Sequence, residues 1–226
     1  NFTNGLSENL YYQNKFRDFN NFFKNKTRLN LLGIKYIISK RDLSKWFSET
    51  SKDVYENNNA YPRFILSKES AVEKDPKKIL HFLDDPNYNP EEIIYIEKDC
   101  PTTSLESPSR DSSGAPSNEA LQNVVKIVKY EEEYIKLEIE NGNNKWLLAN
   151  EIYYPGWQAK IDSKPIEIYK ANYTFRAIPI PAGKHIIEFI FKPKSYLIGK
   201  TISLFAVLIL IILKIFNFLF YNKKTT

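Results

Sequence analysis

The chain has 226 residues, of which 42% are hydrophobic and 26% charged, enough for one or two domains with proper cores. A single cysteine, Cys100, excludes an internal disulfide framework or a cysteine-rich metal site, and His81 and His185 alone do not make a histidine zinc site; no metal or cofactor is expected. The net charge of +5 is carried by interspersed Lys and Glu, as in "KYEEEYIKLEIE", not by a basic stripe, which argues against a nucleic-acid partner.

The sequence opens at Asn1 and contains no methionine, which reads as the C-terminal piece of something longer. "NFTNGLSENLYYQNKF" lacks the basic start, apolar run and cleavage site of a secretory signal. Residues 1–27 form a polar-aromatic segment with broken helical character, and 28–98 read as a small α/β unit. In that unit "LNLLGIKYIISK" runs into a strand, and "DVYENNNAYPRFILSK" gives two extended runs around an Asn-rich turn and Pro62. "DPKKILHFLDDP" is a helix with Asp75 as N-cap, Pro76 at the first position, and an apolar face of Ile79, Leu80, Phe82 and Leu83. Asp84 and Asp85 close it before Pro86, and "NPEEIIYIEKD" ends in a strand. Residues 99–123 are rich in Ser, Pro and Thr and read as a linker.

Residues 124–195 are β throughout. In "EYIKLEIENG", Ile135, Leu137 and Ile139 point one way and Lys136, Glu138 and Glu140 the other. Asn141-Gly142 is a turn dipeptide after which "KWLLANEIYY" returns. "GWQAKID", "SKPIEIY", "YTFRAIPI" and "HIIEFIF" continue at short intervals, with turns at "DSKP" and "PAGK", giving six or seven strands of an antiparallel sandwich. Glu131, Glu132 and Glu133 are a solvated charge run.

Residues 196–221 are long and apolar enough for a transmembrane helix, with Lys200 or Lys214 snorkelling and Tyr196 and Tyr221 suited to the two interfaces; the partner is a lipid bilayer. A short tail, 222–226, follows. Lysines lie on both sides of the span, so charge alone leaves its orientation open. The fold class expected is α+β: a small α/β unit, then an antiparallel β-sandwich, then one C-terminal transmembrane helix.

"YYPGW", Tyr153 to Trp157, breaks the sandwich pattern. Trp157 shares a face with Ala159 and Ile161, so core packing is its default, and Pro155-Gly156 supplies the corner. Tyr153 and Tyr154 point to opposite faces of a regular strand, which leaves one exposed beside Trp157 and able to stack on a sugar ring. Arg176 interrupts an apolar strand; alternation favours an exposed position, the other option being a carboxylate partner. Tyr153, Tyr154, Trp157, Asn172 and Arg176 are the candidate substrate contacts, and no catalytic residue is assigned. "NFT", "NKT" and "NYT" match the glycosylation sequon, which is weak evidence in an Asn-rich chain.

The stretch from "LLANEIYYPGWQAKID" through "ANYTFRAIPIPAGKHIIEF" to "GKTIS" resembles the C-terminal region of the bacterial YfhO family of membrane proteins, and "LNLLGIKYIIS", "VYENNNAYPRFIL" and "DPNYNPEEIIYIE" are similar to its preceding segments. Ser163 stands where that family usually has the glycine of a D-G-K turn. The resemblance implies a polytopic parent similar to C-type-fold glycosyltransferases. Its catalytic acid would lie near missing N-terminal helices, and its partners would be a lipid-linked sugar and an envelope glycan. This piece would be the non-catalytic, extracytoplasmic end of a bacterial cell-membrane protein. The rival readings are a membrane-anchored glycan- or protein-binding scaffold without transfer chemistry, and a tail-anchored protein facing the cytosol.

Overall fold

A computed structural model describes residues 26–100 and 123–222. The expected N-terminal helical character and most of the 99–123 linker lie outside the described residues.

The first unit is small. Helix α1 (Lys26–Leu31) precedes three short strands, β1 (Tyr36–Ile38), β2 (Ser48–Ser51) and β3 (Val54–Glu56), paired in the order β1-β3-β2. Leu29, Ile37, Leu43, Phe47 and Tyr55 form its own core. Asp53, at φ 61°, turns the chain from β2 into β3; a short polar residue tolerates that left-handed geometry better than a branched one.

The rest of the folded part is two facing sheets. One has five strands: β7 (Val124–Tyr130), β8 (Tyr134–Asn141), β10 (Trp157–Ile161), β11 (Lys164–Ile166) and β14 (Gly183–Phe191), in the order β11-β10-β14-β8-β7. The other has six: β4 (Phe64–Ser67), β5 (Glu69–Val72), β6 (Ile93–Ile96), β9 (Lys145–Ile152), β12 (Tyr169–Ala171) and β13 (Phe175–Ile180), in the order β4-β9-β13-β12-β6-β5. Its two outermost strands, β4 and β5, are separated only by Lys68, so the sheet curls until its edges meet. The alternation of β8 is realised: Ile135, Leu137 and Ile139 are all buried between the sheets.

The six-stranded sheet is covered on both faces. Leu147, Ala149, Ile178 and Ile180 pack toward the five-stranded sheet. Trp146, Leu148, Phe175 and Ala177 pack the other way, against Ile79 and Leu83 of helix α2 (Pro76–Leu83). Two buried faces explain the unbroken apolar runs "WLLA" and "AIPI", since neither face needs polar residues. Helix α2 begins as expected: the Asp75 side chain accepts from the Lys77 N–H at 2.9 Å, with Pro76 in the first turn. Such a cap contributes about 1 kcal/mol.

Three sequence expectations change form. The stretches 28–98 and 124–195, read as successive units, are joined by strand pairing: β4 pairs with β9, and β6 with β12. The 124–195 stretch supplies eight strands, β7 to β14, and three more come from before the linker. Asn141-Gly142 is not a hairpin turn, because β8 and β9 lie in different sheets. It is an arch between sheets, as is "PAGK" between β13 and β14. The two arches are tied together: the buried Asn141 side chain donates to the Pro181 carbonyl at 2.9 Å, and the Ala182 N–H donates to Asn144 Oδ1 at 3.0 Å.

Strand β14 therefore runs from this arch end to the other pole, where Lys192 and Pro193 lead into helix α3 (Lys194–Asn222). Its apolar part, Lys194–Phe216, has 23 residues, and the most apolar stretch of it is not buried against the described residues. At ~1.5 Å per residue that is about 34 Å, enough to cross about 30 Å of hydrocarbon. Leu208, Ile209, Leu210 and Ile211, successive residues about 100° apart around the axis, are all more than half exposed, so no face of this stretch is covered by the described residues.

Candidate functional site

The corner between β9 and β10 sits at the helix-bearing pole. Strand β9 ends at Ile152, and the Tyr153 N–H donates to the Thr174 carbonyl at 2.7 Å. Gly156 then takes φ 116°, a geometry costly for any side-chain-bearing residue. A Cβ there would stand 2.9 Å from Pro193 Cα and 3.0 Å from the Phe191 ring. The Lys192 N–H donates to the Gly156 carbonyl at 2.7 Å. The corner is thus clamped to the two residues that connect the sandwich to α3.

Trp157 opens β10 opposite Phe191, with ring centroids 5.2 Å apart at 43°. Its indole faces inward with Ala159 and Ile161, the packing expected from alternation. The Arg176 guanidinium lies over that indole at 3.9 Å and near Phe189 at 5.1 Å. Arg176 is only 1% exposed. This corrects the expectation of an exposed strand position: the alternative holds, and its partner is Glu151 of β9, with which Nη2 forms an ion pair. Arg176 Nε has no hydrogen-bond acceptor; that side of the guanidinium is left to the aromatic rings. Desolvation pulls the Arg176 pKa below its ordinary value, opposed by the Glu151 charge.

Glu151 gathers more than one donor. The Tyr130 hydroxyl donates to Oε1 at 2.6 Å and Arg63 Nη1 donates to the same oxygen at 3.1 Å. Arg63 also stacks over the Tyr130 ring at 4.7 Å. Burial, then the Glu151 hydrogen bond and charge, push the Tyr130 hydroxyl pKa up. Tyr130 ends β7 in one sheet while Glu151 and Arg176 belong to the other, so this network fastens the sandwich at the α3 pole. Sequence reasoning missed Glu151, Tyr130 and Arg63. A signal existed for the first: Glu151 interrupts "LLANEIYY" as Arg176 interrupts "YTFRAIPI", two opposite charges in otherwise apolar strands.

Of the five candidate contacts, only two are openly accessible. Tyr153 is 39% and Tyr154 60% exposed, both outward where the strand expectation left one. Trp157 is half-buried, with its ring between Arg176 and Phe191. Asn172 is buried: its side-chain oxygen accepts from the Tyr95 N–H at 2.9 Å and its amide donates to the Tyr88 hydroxyl at 2.9 Å. Asn172 therefore holds the β12–β13 turn against the helix-covered core, and "NYT" presents no accessible acceptor amide. Burial of Tyr88 raises its hydroxyl pKa in turn.

Two clefts flank the corner. One, about 400 Å³, lies between Tyr153–Trp157 and the β10–β11 hairpin, with Gln158, Lys160 and Glu167 on its walls. A hydrogen bond from Lys98, at 2.6 Å, holds the Glu167 carboxyl below the usual carboxylate range. The second, about 530 Å³, is lined by Leu32, Arg63, Tyr130, Ile152, Tyr154 and Phe191 around the Glu151 network. The arrangement offers ring faces, amide and carboxylate groups for binding, while its buried cation is already committed to a carboxylate. Among the described residues no group of three His, Cys, Asp or Glu is placed to hold a metal ion.

Residues 114–203 match the family described as bacterial membrane protein YfhO, a span that takes in β7 to β14, the corner and the first turns of α3. The match covers less than half of the chain and is consistent with a YfhO-like C-terminal region. Neither the curated proteins nor the solved structures contain a match to the chain.

Proposed function

We propose that this chain is the extracytoplasmic C-terminal domain and last membrane helix of a YfhO-like polytopic protein of the bacterial cell membrane. The parent transfers glycosyl groups from a lipid-linked sugar to cell-envelope polymers, and this piece shapes or covers the acceptor side without supplying a catalytic group. The observation that carries the reading is the family match running from the sandwich into α3, whose most apolar stretch is left bare by the described residues. Tyr153 and Tyr154 are the contacts open to a glycan, with Trp157 at the back of the cleft. Arg176 and Asn172 act on that surface indirectly, one behind the indole and the other beneath the neighbouring turn.

The test is made in the parent protein in intact bacteria. In a protein carrying Cys100→Ser, Asn143→Cys at an exposed position reacts with a membrane-impermeant maleimide from outside, and Tyr153→Ala with Tyr154→Ala lowers envelope glycan decoration while leaving the protein in the membrane. Labelling only after lysis sinks the orientation. Unchanged decoration after removal of residues 124–191 sinks the role in transfer and leaves the membrane-anchored scaffold.

A further inference from the structure

The tyrosine corner has a second property that no glycan contact requires: it is bound to the root of the membrane helix. The Gly156 carbonyl accepts from the Lys192 N–H, and Pro193, one residue before α3 starts, leaves no room for a side chain at Gly156. Whatever the tilt of α3, the corner stays at the pole where the chain enters lipid. Around it the exposed residues are unusually apolar for a solvated surface. Ile152 is 67% exposed, Tyr154 60%, Leu32 44% and Tyr173 41%. Leu32, Ile152 and Tyr154 line one cleft, and Tyr173 stands in the turn that pairs with Tyr153 through Thr174. Aromatic rings with a polar tip favour the headgroup layer, where one end is apolar and the other wet. Lys192 and Lys194, both exposed, supply positive charge at the same level.

The pole is not uniform. The β7–β8 turn carries Glu131, Glu132 and Glu133, all exposed, beside the same cleft. Three carboxylates are excluded from hydrocarbon and repelled by anionic headgroups. Contact on the corner side and repulsion on the acidic side together define a lean.

We propose that the sandwich lies on the bilayer surface through Ile152, Tyr154, Tyr173 and Leu32, with the Glu131–Glu133 turn held up in water. The bilayer is chosen over a protein partner because the patch is continuous with the start of α3. The corner is then an interfacial foot, fixing how the domain stands over the membrane. This rests on α3 being a span, and the test separates the two.

Spin labels are placed one at a time at Leu208, Tyr154 and Glu132, in the full chain carrying Cys100→Ser, reconstituted in phosphatidylcholine–phosphatidylglycerol nanodiscs. Power saturation compares oxygen, which concentrates in lipid, with a water-soluble nickel chelate. The proposal expects the oxygen-to-nickel ratio at 208 and 154 to exceed that at 132 several-fold. A ratio at 154 as low as at 132, with 208 in lipid, overturns the foot and leaves the span. A label at 154 shielded from both reagents means protein covers the corner, which also overturns it. A high ratio at 132 overturns the lean, and a low ratio at 208 overturns span and foot together. Circular dichroism on each labelled chain establishes that the variants are folded.

Discussion

Glu151→Ala isolates the network that fastens the two sheets. The substitution leaves the Arg176 guanidinium 1% exposed, without its carboxylate, between Trp157 and Phe189. Removing one partner of a buried pair costs about 3–5 kcal/mol, because a buried charge is left uncompensated. The lower end of that range applies. The lost bonds from Arg63 and Tyr130 start from half-exposed residues and add little, while the ring contacts of Arg176 persist. Urea unfolding of the full chain in detergent, followed by tryptophan fluorescence, reads the loss as a shift of the midpoint. Glu151→Leu with Arg176→Met removes both charges and keeps apolar volume, so it recovers stability to within about 1 kcal/mol of the parent chain. A Glu151→Ala cost below about 1 kcal/mol, or a double variant less stable than the single one, refutes the assignment of Arg176 as a buried cation held by Glu151.

Gly156→Ala places a methyl group 2.9 Å from Pro193 Cα at a left-handed φ, so it destabilises by about 1–3 kcal/mol and shifts the Trp157 emission spectrum; an unchanged spectrum and midpoint contradict the clamp. Ser163→Gly, in the two-residue β10–β11 turn where Asp162 and Ser163 have φ of 48° and 68°, raises stability by about 1 kcal/mol, read by the same unfolding. At Asp162 desolvation opposes ionisation, but the Ile186 N–H and the His185 ring outweigh it and hold the pKa low. A depressed carboxyl favours the fold at pH above its unfolded value and withdraws that support as pH falls through the folded one. Asp162→Asn therefore lowers Tm near neutral pH and flattens its fall in acid; parallel Tm curves for the two chains contradict the assignment.

Local chemistry was readable and long-range pairing was not. The Asp75-Pro76 cap, the Ile135, Leu137, Ile139 alternation and the apolar run 204–213 within α3 are each decided within one element, so each appears in the sequence as it does in the fold. Asn141-Gly142 marks a reversal equally well, but a turn dipeptide does not state which sheet receives the next strand, and here it is the opposite one. Arg176 illustrates the same limit. Alternation puts it on one face of β13, and only the second sheet, with Trp157 and Phe189, makes that face an interior. Asn172 read as an available amide in "ANYTF", while its partners Tyr88 and Tyr95 come from before the linker, out of reach of any local pattern.

The claim on which the rest depends is that α3 is dissolved in lipid and carries the sandwich with it. Alkaline carbonate washing of membranes holding the full chain, beside a chain ended at Pro193, tests it directly. The account predicts that the full chain stays with the membrane pellet and the shortened one is released, since the corner alone is only a surface contact. Release of both chains, with the full one remaining monomeric without detergent, contradicts it.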